Sequence, residues 1–371
     1  MDRVCTRCIG DNDLKQWIRN QSGPRGCDYC NTSYAPTVEL SDLCEYIEAC
    51  ICQYWGRAVD QLPYISREGG YQGRTLDTYD VIYDRMELDL PLDTHDSLRW
   101  AIAEGVGDEV WCDYDWLSLD PDVAMISGWT QFCNVVKHKR RFFFQKQGFD
   151  PEDRDSYSPL AILHAIAIYS ERHNLIKTIN PGTRLYRARD DLKHPRYPAN
   201  EFGPPPYDFC QNNRMNPAGV PMLYASFNRS AAVKEVKKTS AALGRFTTTH
   251  PLRVLDLTQL APEPGYFADT GRNSAMQLSF LNHFSEKIMQ PVARDNLVHV
   301  EYVPSQIVTE YLRDYPFKSG SIDGVLYGSV ASPGHKNVVL FIDTLDATAP
   351  SAPTNHFPPL KFYGAIMHSL P

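Results

Sequence analysis

The sequence contains no long apolar run and no excess of basic charge. Its apolar stretches, such as Ala165–Tyr169, are far shorter than the ~20 residues that a membrane-spanning helix requires. The N-terminus has no apolar stretch behind a basic start, so we expect no secretory signal. The 37 Lys and Arg against 45 Asp and Glu give a formal net charge of −8, which disfavours coating of nucleic acid or anionic lipid as the main task. A reducing, cytoplasmic location without a membrane partner is therefore expected.

Several catalytic signatures are missing as well. The sequence has neither the HExxH pattern of zinc proteases nor the GxSxG turn of serine hydrolases. The glycine-rich stretch Glu68–Gly73 does not lie between a predicted strand and a predicted helix, as a phosphate-binding loop requires. What is present is an ordinary globular composition, 43% hydrophobic in 371 residues. At ~150 residues per domain, this length predicts about two to three domains.

Four of the ten cysteines form one pattern, in which Cys5 and Cys8 are followed after 18 residues by Cys27 and Cys30. Two CxxC pairs let four thiolates converge on one ion, and a tetrahedral site of four thiolates has no open position, which is typical of structural zinc. Disulfides and redox thiols are the alternatives. A reducing compartment disfavours the first, and the doubled spacing disfavours the second. The other six cysteines are predicted to be small buried residues.

Changes in cysteine content and in the spacing of apolar residues along the chain predict a multidomain chain of three segments. Residues 1–36 surround the four cysteines and are too short for a core of their own, so this zinc-binding module would depend on its metal. Residues 37–178 carry apolar residues at helical spacing and predict an α-helical domain. Its predicted helices are Leu40–Val59, Leu76–Leu88, Ser97–Trp111, Val123–Phe144 and Ser158–Ile179.

Residues 179–371 alternate short strands with helices, which predicts an α+β domain. The predicted strands include Thr183–Arg187, Met222–Ser226, Leu252–Leu257, Leu297–Tyr302, Ile322–Gly328 and Asn337–Asp343. The predicted helices are Ser230–Thr239, Ser274–Met289 and Pro304–Asp314. The proline-rich tail from Pro350 to Pro359 is predicted to be extended and to wrap the surface.

From residue 182 to about residue 345 the sequence resembles the RES domain family. The resemblance rests on short segments in a fixed order, namely Thr183–Arg187, Arg214–Gly219, Pro221–Ser226, Tyr302–Gln306 with Glu310–Arg313, and Ile322–Tyr327 with Asn337–Phe341. The whole chain is similar to longer proteins in which a cysteine-rich, helical HEPN/RES N-terminal domain precedes the RES domain. The resemblance implies an ADP-ribosyltransferase-like fold that acts on NAD, in toxins that degrade NAD or transfer ADP-ribose.

The resemblance also implies which side chains bind NAD. The pyrophosphate of NAD is a dianion, and guanidinium groups suit phosphate oxygens. Arg187 and Arg214 match the family's arginines and are the predicted phosphate ligands. Tyr224 matches the family's tyrosine, whose ring could stack on nicotinamide or on the reacting ribose, and Tyr186 is a further binding candidate. Surface ion pairs for the arginines and a core position for Tyr224 are the alternatives.

The resemblance further implies a carboxylate and a serine near the scissile bond. Cleavage of the nicotinamide–ribose bond passes through an oxocarbenium-like state, which a carboxylate stabilises. Glu235 matches the family's glutamate and is the predicted catalytic carboxylate, the alternative being a solvated helix face. Ser305 matches the serine of the family's Pro-Ser segment. It is predicted to hold the nicotinamide amide or the ribose, with a simple helix cap as the alternative.

The sequence departs from the family pattern where the acceptor would bind. Asn213-Arg214-Met215 stands where compact RES toxins carry Gly-Arg-Trp, and their Asn-Pro motif after the Pro-Ser segment is absent. The predicted function is an NAD glycohydrolase or phosphorylase that acts as a bacterial toxin or antiphage effector. Water, phosphate and a protein side chain stay open as acceptors. ADP-ribosyl transfer to a protein or nucleic acid is the alternative activity, and a non-catalytic zinc-dependent module that binds nucleic acid or a partner is the alternative class.

The helical segment is predicted to regulate or assemble the enzyme. HEPN domains that cleave RNA carry an Arg-x4–6-His pair, and residues 37–178 contain none. The expected partners are an antitoxin, a phage-derived activator or a second copy of the chain. The basic stretch Lys137–Lys146 is predicted to end a helix with its aromatic residues in the core, although nucleic acid stays open as a partner.

Overall fold

The computed structural model describes residues 2–21, 23, 26–93, 96–114, 118–145, 149–189, 199–290, 297–342, 356–357 and 359–370. The chain forms two compact units, in agreement with the multidomain prediction. The first unit contains Met1–Pro121 and Pro262–Gln277, and the second contains Asp122–Ala261 and Leu278–Pro371. The predicted segment boundaries after residues 36 and 178 remain predictions. Among the described residues, none of the helices combines the length and the apolar character that crossing a bilayer demands.

The first unit packs short strands and helices around a main apolar core and a smaller apolar cluster. Its elements are β1 (Arg3–Cys5), α1 (Asn12–Gln21), β2 (Thr37–Glu39), α2 (Leu40–Tyr54), β3 (Trp55–Arg57), α3 (Ala58–Gln61), β4 (Tyr64–Ile65), β5 (Gly70–Tyr71), β6 (Leu76–Asp77), α4 (Thr78–Asp80), α5 (Ser97–Val106) and β7 (Val110–Asp113). β1 pairs with β2, β4 pairs with β5, and β3, β7 and β6 form a three-stranded sheet. Leu43, Ile47 and Ile51 recur every four residues on α2, so one face of this helix enters the core.

The helix predicted at Leu76–Leu88 begins two residues late and is irregular. Leu76 and Asp77 form β6, which pairs with β7. The Asp77 carboxylate then accepts a hydrogen bond from the backbone N–H of Asp80 at 2.7 Å, and this cap begins α4. A π-helical turn, Val81–Arg85, follows. Residues 37–113 are therefore less helical than the sequence predicts, because sheet pairing competes with helix formation.

The second unit is built on a mixed sheet. Its strands are β8 (Ile176–Ile179), β9 (Arg184–Arg189), β10 (Leu223–Ser226), β11 (Ser240–Thr248), β12 (Leu252–Asp256), β13 (Gly324–Gly328), β14 (Lys336–Leu340), β15 (His356–Phe357) and β16 (Leu360–Ser369). Their order across the sheet is β15-β16-β11-β9-β10-β14-β13-β12-β8. β12 and β13 run parallel, and every other neighbouring pair is antiparallel.

Helices of the second unit bury one face of this sheet. They are α6 (Pro121–His138), α7 (Pro159–Arg172), α8 (Arg229–Glu235), α9 (Arg272–Met289, whose first six residues belong to the first unit), α10 (Val298–Glu301) and α11 (Val303–Asp314). Trp129 of α6, Ile166 of α7 and Phe284 of α9 lie in one apolar cluster with Val325 and Val339 of the sheet. A separate cluster fills the region around Phe202 and Phe246. The sheet is therefore covered by apolar contacts on both faces.

Two local predictions are corrected, and a third falls mostly outside the described residues. Leu297–Tyr302 was expected to be a strand, but Glu301 N and Tyr302 N donate to carbonyls four residues earlier, and Val298–Glu301 is α10. Lys137 binds Glu301 in an ion pair that holds this turn to α6. The aromatic residues of the basic stretch do not all face the core, because Phe142 and Phe143 are 81% and 82% exposed. Most of the tail from Pro350 to Pro359 lies outside the described residues, and the residues after it form β16.

Gly244 on β11 leaves room for an aromatic ring. An added Cβ would lie 2.4 Å from the Phe202 ring, which is fully buried. We therefore expect Gly244→Ala to lower the free energy of unfolding by about 1–3 kcal/mol through overpacking. Denaturant unfolding measures this change. Gly328→Ala is the matched control, because nothing lies within 4 Å of its added Cβ. Equal stability of the two variants would contradict the prediction.

Candidate active site and metal centre

A cavity of about 830 Å³ lies in the second unit, beside β9 and β10. Its walls come from β9, β10, α8, β13, β14 and the loop that begins at Glu201. The strand order β9-β10-β14 brings residues that are distant in sequence to one wall. A cavity of this size suits a cofactor-sized ligand. Four predicted site residues line it, namely Tyr186, Arg187, Tyr224 and Glu235.

Arg187 supplies a positive charge to the cavity, and the residue is half-buried. Burial, reinforced by the like charge of Arg189, lowers the pKa of Arg187 to about 9. The guanidinium is therefore still protonated at neutral pH. Its buried Nη1 has no hydrogen-bond partner within the described part of the chain. A buried charge without a partner is costly, so an anion in the cavity would stabilise the site.

Glu235 is fixed by neutral hydrogen-bond donors. It is the last residue of α8, which begins where Asn228 accepts a hydrogen bond from Ala231 N at 3.0 Å. Glu235 Oε1 accepts hydrogen bonds from Ser329 Oγ and Asn337 Nδ2, both at 2.7 Å. These donors orient the carboxylate without neutralising its charge. Burial, and then the charge of Glu235, raises the pKa of Tyr327 beside it.

Tyr224 lines the cavity with its ring and uses its hydroxyl to hold a loop. Tyr224 Oη donates to Asn216 Oδ1 at 2.8 Å and accepts from Met215 N at 3.2 Å. Burial raises the pKa of this phenol, which therefore stays protonated. The hydroxyl is committed to the loop that carries Met215 and Asn216. The face of the ring is what Tyr224 can offer a ligand.

Arg214 and Ser305 do not line this cavity. Arg214 Nη1 donates to the carbonyl of Ile288 at 2.8 Å. Ser305 is 6% exposed, and its Oγ lies within hydrogen-bond distance of the carbonyls of Arg214 and Tyr302. Ser305 lines a separate cavity of about 390 Å³ instead. Arg214 and Ser305 therefore contact each other beside the loop to which Tyr224 binds, and neither lines the larger cavity.

The sequence analysis did not name as site residues Asn337 and Glu201, which line the larger cavity, or Ser329, which donates a hydrogen bond to Glu235. Asn337 is 3% exposed, and its Oδ1 is buried without a partner among the described residues, as is Glu201 Oε2. The amide of Asn337 at the start of the apolar run 337–342 could have indicated a site residue. A polar side chain in a buried strand requires a hydrogen-bond partner. Glu201 had no such signal. The cavity thus contains hydrogen-bond donors and acceptors without partners among the described residues, and a polar ligand could bind to them.

The four predicted cysteine ligands come together in the first unit. Cys5, Cys8, Cys27 and Cys30 have sulfur atoms that all lie within 4.8 Å of one another. The Sγ–Sγ distances are 3.8 Å for Cys5 and Cys8, 3.5 Å for Cys5 and Cys30, and 3.7 Å for Cys8 and Cys27. Four sulfurs ~2.3 Å from a central ion in a tetrahedron lie ~3.8 Å apart. No disulfide joins the four cysteines. The cluster therefore has the donors and the spacing of a metal site.

Comparisons with protein-family models identify two domains in this chain. A family model described as HEPN/RES N-terminal domain 1 matches residues 20–150, and the RES domain model matches residues 184–359. No curated protein matches. A chain from the crystal structure of the M. tuberculosis MbcT-MbcA toxin-antitoxin complex is similar at 14% identity, over 55% of this chain and 92% of that chain, with a TM-score of 0.30. The two family matches together span most of the sequence. The chain therefore contains a RES domain and, ahead of it, an HEPN/RES N-terminal domain 1.

Proposed function

We propose that the second unit is an ADP-ribosyltransferase-like enzyme that cleaves the nicotinamide–ribose bond of NAD. One observation carries the proposal. A single cavity contains both the guanidinium of Arg187, whose Nη1 has no hydrogen-bond partner among the described residues, and the hydrogen-bonded carboxylate of Glu235. NAD offers the two complementary groups, a pyrophosphate dianion and a ribose that becomes positive as nicotinamide leaves. The RES domain match supports the same substrate class.

Each cavity residue has a distinct role in this proposal. Arg187 binds the pyrophosphate, because its guanidinium can donate two hydrogen bonds to phosphate oxygens. The rings of Tyr224 and Tyr186 form a wall against which nicotinamide or ribose packs. Arg214 and Ser305 act as positioning residues, since they hold the loop to which the Tyr224 hydroxyl binds.

The reaction breaks the bond between ribose C1′ and the nicotinamide nitrogen. The bonding electrons leave with neutral nicotinamide, and positive charge develops on the ribose. Glu235 stabilises that charge electrostatically because its negative carboxylate is preorganised by Ser329 and Asn337. The acceptor oxygen then bonds to C1′. Water loses one proton and gives ADP-ribose, whereas phosphate gives the ADP-ribose phosphate ester.

Product analysis tests this activity and identifies the acceptor. We expect the 371-residue chain to release one nicotinamide for each NAD consumed, in buffers with and without phosphate. ADP-ribose as the second product indicates hydrolysis, and its phosphate ester indicates phosphorolysis. Labelled ADP-ribose retained on protein or nucleic acid indicates transfer. Absence of nicotinamide release under all these conditions would overturn the proposal.

We also propose that the four clustered cysteines bind one structural zinc ion. Tetrahedral all-thiolate sites favour zinc in proteins, and a closed site without an open position is structural. The cluster lies next to the pairing of β1 with β2, so the ion would fix these strands ahead of α2. The zinc contributes folding free energy to the first unit and takes no part in NAD cleavage.

The biological role that we propose is that of a cytoplasmic toxin or antiphage effector. NAD depletion arrests cells, so such an enzyme needs control by an antitoxin or by a phage-derived activator. The HEPN/RES N-terminal domain 1 is the part of the chain that we assign to this control. Cell growth arrest that depends on Glu235 supports this role.

A further inference from the structure

A second polar cavity of the second unit, about 450 Å³ in volume, concentrates positive charge. We name it the arginine cleft, and its principal lining residues are Arg184, Tyr186, Arg229, Arg245, Thr247 and Tyr363. Among the residues that the structure describes, no acidic residue lines it, although the chain as a whole has a formal net charge of −8. We propose that the arginine cleft is a binding site for the diphosphate group of a small ligand, either a nucleoside diphosphate or free pyrophosphate.

Strand register places the cleft side chains on one face of the sheet. Arg245 of β11 is paired with Tyr186 of β9, and Thr247 is paired with Arg184. Paired residues of antiparallel strands project to the same side, as do alternate residues along each strand. Arg229, the first residue of α8, completes the group, with its guanidinium carbon 5.4 Å from the centre of the Tyr186 ring.

A β-bulge lies opposite Arg245. Gly244 is paired with Ala365 and Phe246 with Phe362, so Tyr363 and Gly364 together face Arg245 alone. Gly364 has a φ of 100°, a conformation that glycine adopts without strain. Bulges re-aim side chains and are common beside functional sites. Here the bulge places the Tyr363 side chain at the cleft and lets Arg245 Nη2 donate to the Tyr363 carbonyl at 3.3 Å.

The positive charges of the cleft are not matched within the described part of the chain. No carboxylate lies within 4.0 Å of Arg184, Arg229 or Arg245 there. Arg245 Nε is moreover buried without a hydrogen-bond partner among the described residues. Neighbouring like charges repel each other, so the cluster has an electrostatic cost that a dianion would remove. Guanidinium groups bind phosphate through paired hydrogen bonds, which makes a diphosphate the best match for three arginines.

The shape of the cleft favours a small ligand over a nucleic acid strand. Its volume falls in the range of small-molecule sites, about 300–1,000 Å³. Tyr363 is 55% exposed and offers a ring face on which a base can stack. Tyr186 lines both the arginine cleft and the larger cavity, so the two sites are neighbours. Binding to the cleft does not depend on the proposed NAD cleavage.

Isothermal titration of the 371-residue chain with pyrophosphate and with ADP, at low ionic strength, tests the site. We expect Arg184→Gln and Arg229→Gln each to weaken binding at the cleft by about tenfold or more. Lys177→Gln is the matched control, because it removes an exposed positive charge from β8 at the other edge of the same sheet. Arg187→Gln distinguishes binding in the larger cavity from binding in the arginine cleft, because Arg187 lines only the larger cavity. This variant should leave binding at the cleft intact.

Each result has a defined meaning. Equal affinity for pyrophosphate and ADP indicates that the diphosphate is the whole ligand, and tighter binding of ADP indicates a nucleotide. Absence of saturable binding overturns the proposal. Loss of binding in Arg187→Gln with no change in Arg184→Gln or Arg229→Gln also overturns it, since the ligand would then occupy the larger cavity. Salt-sensitive binding of single-stranded RNA alone would assign the cleft to nucleic acid instead. Because these readouts do not use NAD turnover, their failure is distinguishable from failure of the proposed enzymatic activity.

Discussion

Replacing Glu235 with Gln is expected to lower the rate of nicotinamide release from NAD by about 10²–10³-fold. The amide keeps the size of the carboxylate, and its oxygen can still accept hydrogen bonds from Ser329 Oγ and Asn337 Nδ2. It loses the negative charge that stabilises the positive ribose in the transition state. We therefore expect kcat to fall while KM changes little. Steady-state kinetics with chromatographic detection of nicotinamide measures both quantities.

Glu286→Gln is the matched control for this prediction. Glu286 is an exposed carboxylate on α9, so its replacement removes the same charge outside the cavity. The control should retain the original rate, and both variants should keep the melting temperature of the unmodified protein. A Glu235→Gln variant that turns NAD over at the control's rate would exclude the carboxylate from the chemistry.

Cys8→Ser is expected to abolish zinc binding and to destabilise the first unit. Cys8 is 2% exposed, and its sulfur lies 3.8 Å from that of Cys5 and 3.7 Å from that of Cys27. Serine cannot supply the thiolate, and structural zinc contributes about 10–16 kcal/mol in small zinc-dependent domains. The loss here should reach about 5 kcal/mol, which is comparable with the total stability of a domain. Metal analysis and thermal unfolding measure the two effects.

Cys52→Ser separates the metal site from a general effect of cysteine replacement. Cys52 lies on α2 in the same unit, and its side chain is exposed. This variant should keep about one zinc per chain and an unchanged melting temperature. Retention of zinc and stability by Cys8→Ser would show that the cluster holds no structural metal.

The cysteine cluster was predictable because its ligands are local in sequence. Each CxxC pair occupies a single turn, so the spacing alone indicates that two thiolates face one point. The meeting of Arg187, Tyr224 and Glu235 was predictable only through the resemblance. These residues lie on β9, β10 and α8, and their proximity depends on a sheet order that joins β10 to both β9 and β14. The hydrophobic periodicity of a single segment does not indicate which distant strands pair.

The remaining differences arise where tertiary contacts override a local pattern. Val298–Tyr302 alternates apolar and polar residues as a strand would. Hydrogen bonds between residues four apart and the ion pair with Lys137 nevertheless hold this segment in a helical turn. Ser305 fits the family motif, but its hydroxyl contacts two backbone carbonyls and does not line the larger cavity. A motif therefore identified the residue, whereas only the packing of α11 shows what it contacts. Asn337 was missed because its role depends on a partner from another element.

The division of the first unit between two stretches of chain sets an order of events during synthesis. Phe267, 1% exposed, belongs to the core of that unit, and its carbonyl accepts a hydrogen bond from Tyr46 Oη at 2.9 Å. The ribosome completes Pro121 long before it reaches Pro262–Gln277. At about 5–20 residues per second, this interval lasts on the order of ten to thirty seconds. The first unit thus completes its core only after β8 through β12, with Arg187, Tyr224 and Glu235, have been translated. The part of the chain to which we assign control is therefore not yet fully packed when these three residues of the proposed active site have been translated.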